Sequence, residues 1–249
     1  MPSQHLSESE ARLSSGLLAS KIQLSLIAQA ALDLLFPPQC AGCDRVDSIW
    51  CSRCHTQLVS TGVIAPKKAV TETFMVASTG LHDGILQQAV QGLKYQHVRL
   101  LSGELGHRLS AALELLGWTI DVIVPVPLGE KRLKERGYNQ AQLIAERLAA
   151  EMAVPCLPYA LRRRRETQSQ VGLNAQQRSE NMVDAFEADA AQLKGLRVLI
   201  VDDVLTTGST LNACAQAALA AGVHSTWGLT VTAARIEPDT NRLSSLSQP

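Results

Sequence analysis

Two stretches of the chain combine residue types and spacings that can do chemistry. The first reads Val198-Leu199-Ile200-Val201-Asp202-Asp203-Val204-Leu205-Thr206-Thr207-Gly208-Ser209-Thr210. An apolar run suited to a strand buried on both faces ends in two adjacent carboxylates. A loop of threonines, glycine and serine follows, and then a helix begins. At the carboxyl end of a strand, such a loop offers backbone N–H groups, hydroxyls and a helix N-terminus to a phosphate monoester. Gly208 lets the backbone approach that phosphate closely. Asp202 and Asp203 can hold vicinal hydroxyls or a hydrated magnesium ion. A phosphate cradle with diol acceptors beside it describes a ribose 5-phosphate. Helix capping alone would need one hydroxyl and leaves the two acids unexplained. The sequence has neither G-x-x-x-x-G-K-[ST] nor G-x-G-x-x-G, which argues against a P-loop NTPase and a dinucleotide fold.

The second stretch holds four of the six cysteines, as Cys40-x2-Cys43 and Cys51-x2-Cys54. Each C-x2-C pair aims two thiolates at one point, and two such knuckles complete a tetrahedral sulfur shell that suits zinc. A closed shell has no open position, so the metal would be structural. An iron–sulfur cluster or a redox dithiol is the alternative. His55 adjoins the last cysteine as a bystander, and the isolated Cys156 and Cys214 read as buried small apolar residues.

The elements that must position these groups follow from periodicity. Apolar residues at helical spacing over 17–35 give one stripe, stopped by Pro37-Pro38. Residues 60–72 read as a linker. Strands are expected at 74–78, 122–126, 198–201 and 226–232. Helices are expected at 85–93, 100–116, 141–150 and 211–220, with Gly117 and Gly222 closing two of them. Residues 162–177 read as irregular and arginine-rich. Alternating strands and helices predict an α/β fold with a doubly wound, mostly parallel sheet. The expected organisation is a polar N-terminus and amphipathic helix over 1–36, a four-cysteine zinc module over 37–60, an α/β domain over 70–236 and a disordered tail over 237–249.

Composition narrows the function classes. Across 249 residues, 23 basic side chains balance 23 acidic ones, so the chain as a whole is no polyanion-coating protein. Aromatics make up only 4%, too few for a surface that stacks many exposed bases. The zero net charge conceals segregation: residues 129–178 hold ten basic side chains against five acidic ones. No apolar run is long enough to insert in a membrane, and no export signal is apparent, which predicts a cytoplasmic protein with reduced cysteines.

The 198–210 segment resembles the phosphoribosyl-pyrophosphate (PRPP) motif of type I phosphoribosyltransferases. Further motifs narrow the resemblance to the ComF family, also called competence protein F or amidophosphoribosyltransferase-like. They are the cysteine knuckles, Leu93-Lys94-Tyr95, Pro125-Val126-Pro127-Leu128, Arg132-x3-Arg136-Gly137-Tyr138-Asn139-Gln140-Ala141, Arg165-x-Thr167-x2-Gln170-x2-Leu173, Arg178-x2-Asn181 and Ala185-Phe186. The resemblance runs from about residue 35 to 235. Many relatives carry a further cysteine pair near the first four, and residues 55–72 contain none.

The resemblance implies a type I phosphoribosyltransferase fold after an N-terminal zinc module. It assigns ribose contacts to Asp202 and Asp203, and the 5-phosphate to Thr206, Thr207, Gly208, Ser209 and Thr210. Mg2+ would accompany PRPP. Cations for pyrophosphate would come from Lys94, Arg132 and Arg136, with Arg162, Arg163, Arg164, Arg165 and Arg178 on a lid. The bland alternative for Lys94 is a solvated surface lysine, and for the 162–165 run a solvated loop. The implied role is in DNA uptake and natural transformation, or in nucleotide metabolism. Two other readings stand beside it: a non-catalytic module binding single-stranded DNA or a helicase or recombination partner, and a PRPP- or nucleotide-sensing regulator. The acceptor and the general base are not legible.

Overall fold

The computed structural model describes residues 37–46, 48–164 and 185–235. The predicted helix over 17–35, the tail, Arg165 and Arg178 lie outside the described residues. The chain divides into two compact units, residues 1–51 and 52–249. In the first, residues 39–46 and 48–51 form a tight loop. Gln39 and Val46 make an antiparallel bridge. The N–H groups of Cys43 and Asp44 both donate to the Cys40 carbonyl, at 3.2 and 2.8 Å, and Cys40 N–H donates to the Arg45 carbonyl. Asp44 takes a left-handed φ of 59°, which a short polar side chain tolerates.

The second unit is an α/β fold, as the alternating pattern predicts. Helix α1 (Ser52–Ser60) leads into an edge strand, β1 (Lys67–Thr71). There follow β2 (Phe74–Ser78), α2 (Gly84–Tyr95), α3 (Leu101–Leu116), β3 (Val122–Pro125), α4 (Glu130–Arg136) and α5 (Gln140–Met152). A short antiparallel ribbon, β4 (Leu161–Arg163) with β5 (Phe186–Ala188), precedes α6 (Ala190–Leu193), β6 (Arg197–Leu205), α7 (Ser209–Ala220) and β7 (Ser225–Ala233). The main sheet has the order β1-β2-β7-β6-β3. All its pairs are parallel except β1 with β2.

The core lies on both faces of this sheet, as its apolar central strands require. On one face Phe74, Val76, Val122, Val124, Val198 and Ile200 pack with Leu211, Cys214, Ala215 and Ala218 of α7. The other face meets α2, α3 and α5. There α5 runs so close to α3 that a methyl group at Gly106 would meet the Arg147 Cβ at 2.5 Å. Asn139 fixes the start of α5. Its side-chain oxygen accepts from Ala141 N–H at 3.0 Å, a cap worth about 1 kcal/mol. Its amide donates to the Val126 carbonyl at 2.9 Å, tying the helix to the end of β3.

Three local expectations change. The 60–72 stretch is not all linker, because Lys67–Thr71 adds an antiparallel strand to β2. Its lysines obscure the pattern, and lysines are what an exposed sheet edge tolerates. The arginine run is not wholly irregular, since Leu161–Arg163 pairs with Phe186–Ala188. The strand expected at 198–201 continues to Leu205, with Asp202 opposite Thr230 and Leu205 opposite Ala233. Backbone pairing with β7 carries it through the two acids to Val204 and Leu205. Among the described residues, no helix is long and apolar enough to cross a membrane.

Candidate ribose-phosphate site and cysteine cluster

Because β6 runs through the two acids, its pleat sends their side chains to opposite faces. Asp203 turns toward α2, where its Oδ1 lies 2.7 Å from Lys94 Nζ. Its other oxygen, Oδ2, is buried without a hydrogen-bond partner. Asp203 is only 4% exposed, so this is a nearly dehydrated carboxylate with one oxygen neutralised and one unpartnered. Asp202 has the parity of Val198 and Ile200 and accepts the Asp203 N–H at 2.8 Å. It is partly exposed and lines a cavity. Burial first, and the Asp203 charge second, push the Asp202 carboxyl up to about 7; the Asp203 N–H and Lys94 act the other way. Burial, and then the Asp202 charge, also raise the Cys214 thiol.

The cavity has a volume of about 420 Å³ and sits at the carboxyl ends of β3 and β6, where parallel α/β sheets place their ligands. Of the residues that the sequence singles out, Lys94, Arg132, Arg136, Asp202, Asp203 and Thr210 all line it. Thr207 and Ser209 instead line a separate cavity of about 910 Å³ with Asn212 and Arg164. Their hydroxyls are 2.8 Å apart, and Ser209 N–H donates to Thr207 Oγ1 at 3.3 Å. Thr206 is exposed and Gly208 buried. Gly208 sits at φ 90°, and a methyl group there would meet Val70 at 3.1 Å, so both conformation and space call for glycine.

Several residues at the site escape the sequence reading. Tyr95, His97 and Gln140 line the same cavity, beside Arg163 of the arginine run that the sequence does single out. Arg136 lies over the Tyr95 ring at 5.3 Å and donates to Gln140 Oε1. Tyr138, whose hydroxyl donates to the Leu93 carbonyl, carries Arg99 over its ring at 4.5 Å. Arg163 lies over Phe186 at 5.5 Å. His82 pairs with Thr232 Oγ1 at 2.8 Å, and burial, then the Lys94 charge, lower its pKa. The signal for Tyr95 and Gln140 is present in the sequence, inside motifs read for their charged members. Pairing across the fold is what the sequence withholds.

The four knuckle thiols, Cys40, Cys43, Cys51 and Cys54, lie within 4.8 Å of one another. The Sγ atoms of Cys43 and Cys51 are 3.7 Å apart. Cys40 Sγ accepts N–H groups from Gly42 at 3.4 Å and Cys51 at 3.3 Å. Burial by itself would raise the Cys40 thiol, but the N–H donors of Cys51 and Gly42 outweigh it and the pKa falls. Backbone donors that stabilise a thiolate, and four sulfurs within reach of one ion, fit a metal.

These features define a phosphoribosyltransferase-type fold. The family model described as the phosphoribosyl transferase domain matches residues 107–238, and the chain belongs to that family. Competence protein F of Haemophilus influenzae is 39% identical over 113 residues, covering 44% of this chain and 49% of that protein. DNA utilization protein YhgH of Salmonella typhimurium is 38% identical over 123 residues, covering 49% of this chain and 52% of that protein. The chain thus spans about half the length of the curated relatives it matches. Both relatives agree with the ComF resemblance that the motifs carry. Among solved structures, adenine phosphoribosyltransferase from Saccharomyces cerevisiae is 16% identical, with a TM-score of 0.41, over 73% of this chain and 88% of that one.

Proposed function

We propose that the α/β domain binds PRPP or a related ribose 5-phosphate ligand with Mg2+ in the 420 Å³ cavity. The observation that carries this reading is Asp203. A buried carboxylate with one unpartnered oxygen, facing a cavity that also holds Lys94, Arg132 and Arg136, matches a ribose diol or hydrated Mg2+ beside an anionic group. Asp202 supports the sugar from the other side of β6. Thr210 faces this cavity and Thr207 and Ser209 face the 910 Å³ one, so a ligand whose 5-phosphate is cradled by Thr206, Thr207, Gly208, Ser209 and Thr210 reaches past the 420 Å³ cavity, while Lys94, Arg132 and Arg136 inside it meet the pyrophosphate. Arg165 and Arg178, the lid candidates that the resemblance implies, lie outside the described residues. Mg2+ would supply charge neutralisation of the pyrophosphate.

Cys40, Cys43, Cys51 and Cys54 hold a structural zinc ion within a module over 37–60, followed by the ligand-binding domain over 70–236. The names of the relatives, competence protein F and DNA utilization protein, support a role in DNA uptake or utilization, which we place in the cytoplasm.

Titration of PRPP with Mg2+ into the full chain tests the reading. Saturable binding that Asp202→Ala plus Asp203→Ala abolishes, with the circular dichroism spectrum unchanged, is the expected result. No binding by the unaltered chain would refute it. Pyrophosphate release over a panel of bases then separates a transferase from a sensor.

A further inference from the structure

Arg136 is held on two sides. Its guanidinium lies over the Tyr95 ring at 5.3 Å and donates to Gln140 Oε1, and all three residues line the cavity that holds Asp202 and Asp203. Gln140 is only 6% exposed and opens α5, so it offers a fixed acceptor. Tyr95 is 70% exposed, and its ring is covered on one face by the Arg136 guanidinium. Its neighbours in the chain are equally committed: the Leu93 carbonyl accepts the Tyr138 hydroxyl, and Lys94 pairs with Asp203. Three consecutive residues in the last turn of α2 therefore reach the loop before α5, strand β6 and helix α4 in turn.

We propose that Tyr95 is a positioning residue that sets the guanidinium of Arg136 against the pyrophosphate end of the ligand. The cavity thereby favours a ribose 5-phosphate bearing a diphosphate at C1 over ribose 5-phosphate alone. This deepens the reading of the cavity as a ribose-phosphate site and rests on it. A free arginine side chain must give up rotamer freedom to grip a phosphate. One already held against an aromatic face and a buried amide loses less on binding. The Tyr95 ring acts on the site through Arg136, so its effect is confined to ligands that carry the diphosphate.

The test is isothermal titration of the full chain, with Mg2+, using three probes: PRPP, ribose 5-phosphate and inorganic pyrophosphate. Tyr95→Ala is expected to weaken PRPP and pyrophosphate about fivefold, the size of a cation–π contact, and to leave ribose 5-phosphate unchanged. Tyr95→Phe keeps the ring and is expected to restore both. Adding Tyr95→Ala to Arg136→Ala is expected to cost nothing further. The exposed ring makes Tyr95→Ala a mild change for folding, and circular dichroism checks it. Equal loss for all three probes, no loss for any, or additive loss in the double variant overturns the proposal. Pyrophosphate binding that depends on Tyr95, without any ribose 5-phosphate binding, refutes the sugar site and leaves the Tyr95–Arg136 arrangement standing. Binding of none of the probes refutes both.

Discussion

Removing the Lys94 ammonium should destabilise the domain through Asp203. The pair is close, at 2.7 Å, with side-chain exposures of 19% for Lys94 and 5% for Asp203. Replacing Lys94 by methionine keeps the stem and deletes the charge. It leaves a buried carboxylate with Oδ1 unpaired beside an Oδ2 that already lacks a partner. Breaking a fully buried pair from one side costs about 3–5 kcal/mol. The cavity admits water to Lys94, so about 2 kcal/mol is expected for Lys94→Met. Asp203→Asn is gentler, about 1 kcal/mol or less, because the lysine can turn toward solvent and the repulsion on Asp202 disappears. The double variant should recover most of the Lys94→Met loss, giving a coupling of about 1–2 kcal/mol. Urea denaturation of the four proteins, fitted at a common m-value, measures it. A neutral Lys94→Met, or a double variant less stable than Lys94→Met alone, would refute the picture of Lys94 as the counter-ion of a dehydrated Asp203.

Asp202 should impose a pH slope on stability. Its folded carboxyl titrates at about 7 against an ordinary value of 3.8, so the native state holds the extra proton between those values. Stability is then expected to fall as pH rises from about 4 to 7 and to level off above, with Asp202→Asn abolishing the slope in urea titrations at stepped pH. Asp121, held down to about 2 by the Arg197 side chain and backbone N–H, acts in the opposite sense and only as pH falls below about 4. For the cysteine cluster, elemental analysis of the purified chain is expected to give about one zinc per chain, and Cys54→Ser is expected to lower it; iron, or no metal, would contradict the sulfur-bound zinc site.

The fold was largely legible because its strands are unusually plain. Val198–Val201 and Val122–Val124 have few polar interruptions, and helices of the expected length stand between strands. The edge strand was not legible, since Lys67 and Lys68 carry the mark of solvent whether they sit in a strand or a linker. At the site, the acids and the arginines of α4 could be named from type and spacing alone. Their orientation could not. That Asp202 and Asp203 face opposite sides depends on β6 running four residues further than its apolar stretch, which follows from pairing with β7. Lys94 read equally well as a surface lysine, because its partner lies 109 positions away and no local pattern records such a contact. Tyr95 and Gln140 matter through what they do to Arg136, and a sequence carries the type of a residue more readily than its neighbour.

We propose above that the acid pair in β6 receives a magnesium-bound ribose phosphate. The most direct measurement is the affinity for PRPP with and without Mg2+, compared between the unaltered chain and Asp203→Asn. Mg2+ is expected to strengthen binding in the unaltered chain, and Asp203→Asn is expected to lose that strengthening. Binding that ignores both Mg2+ and the Asp203 substitution would contradict it.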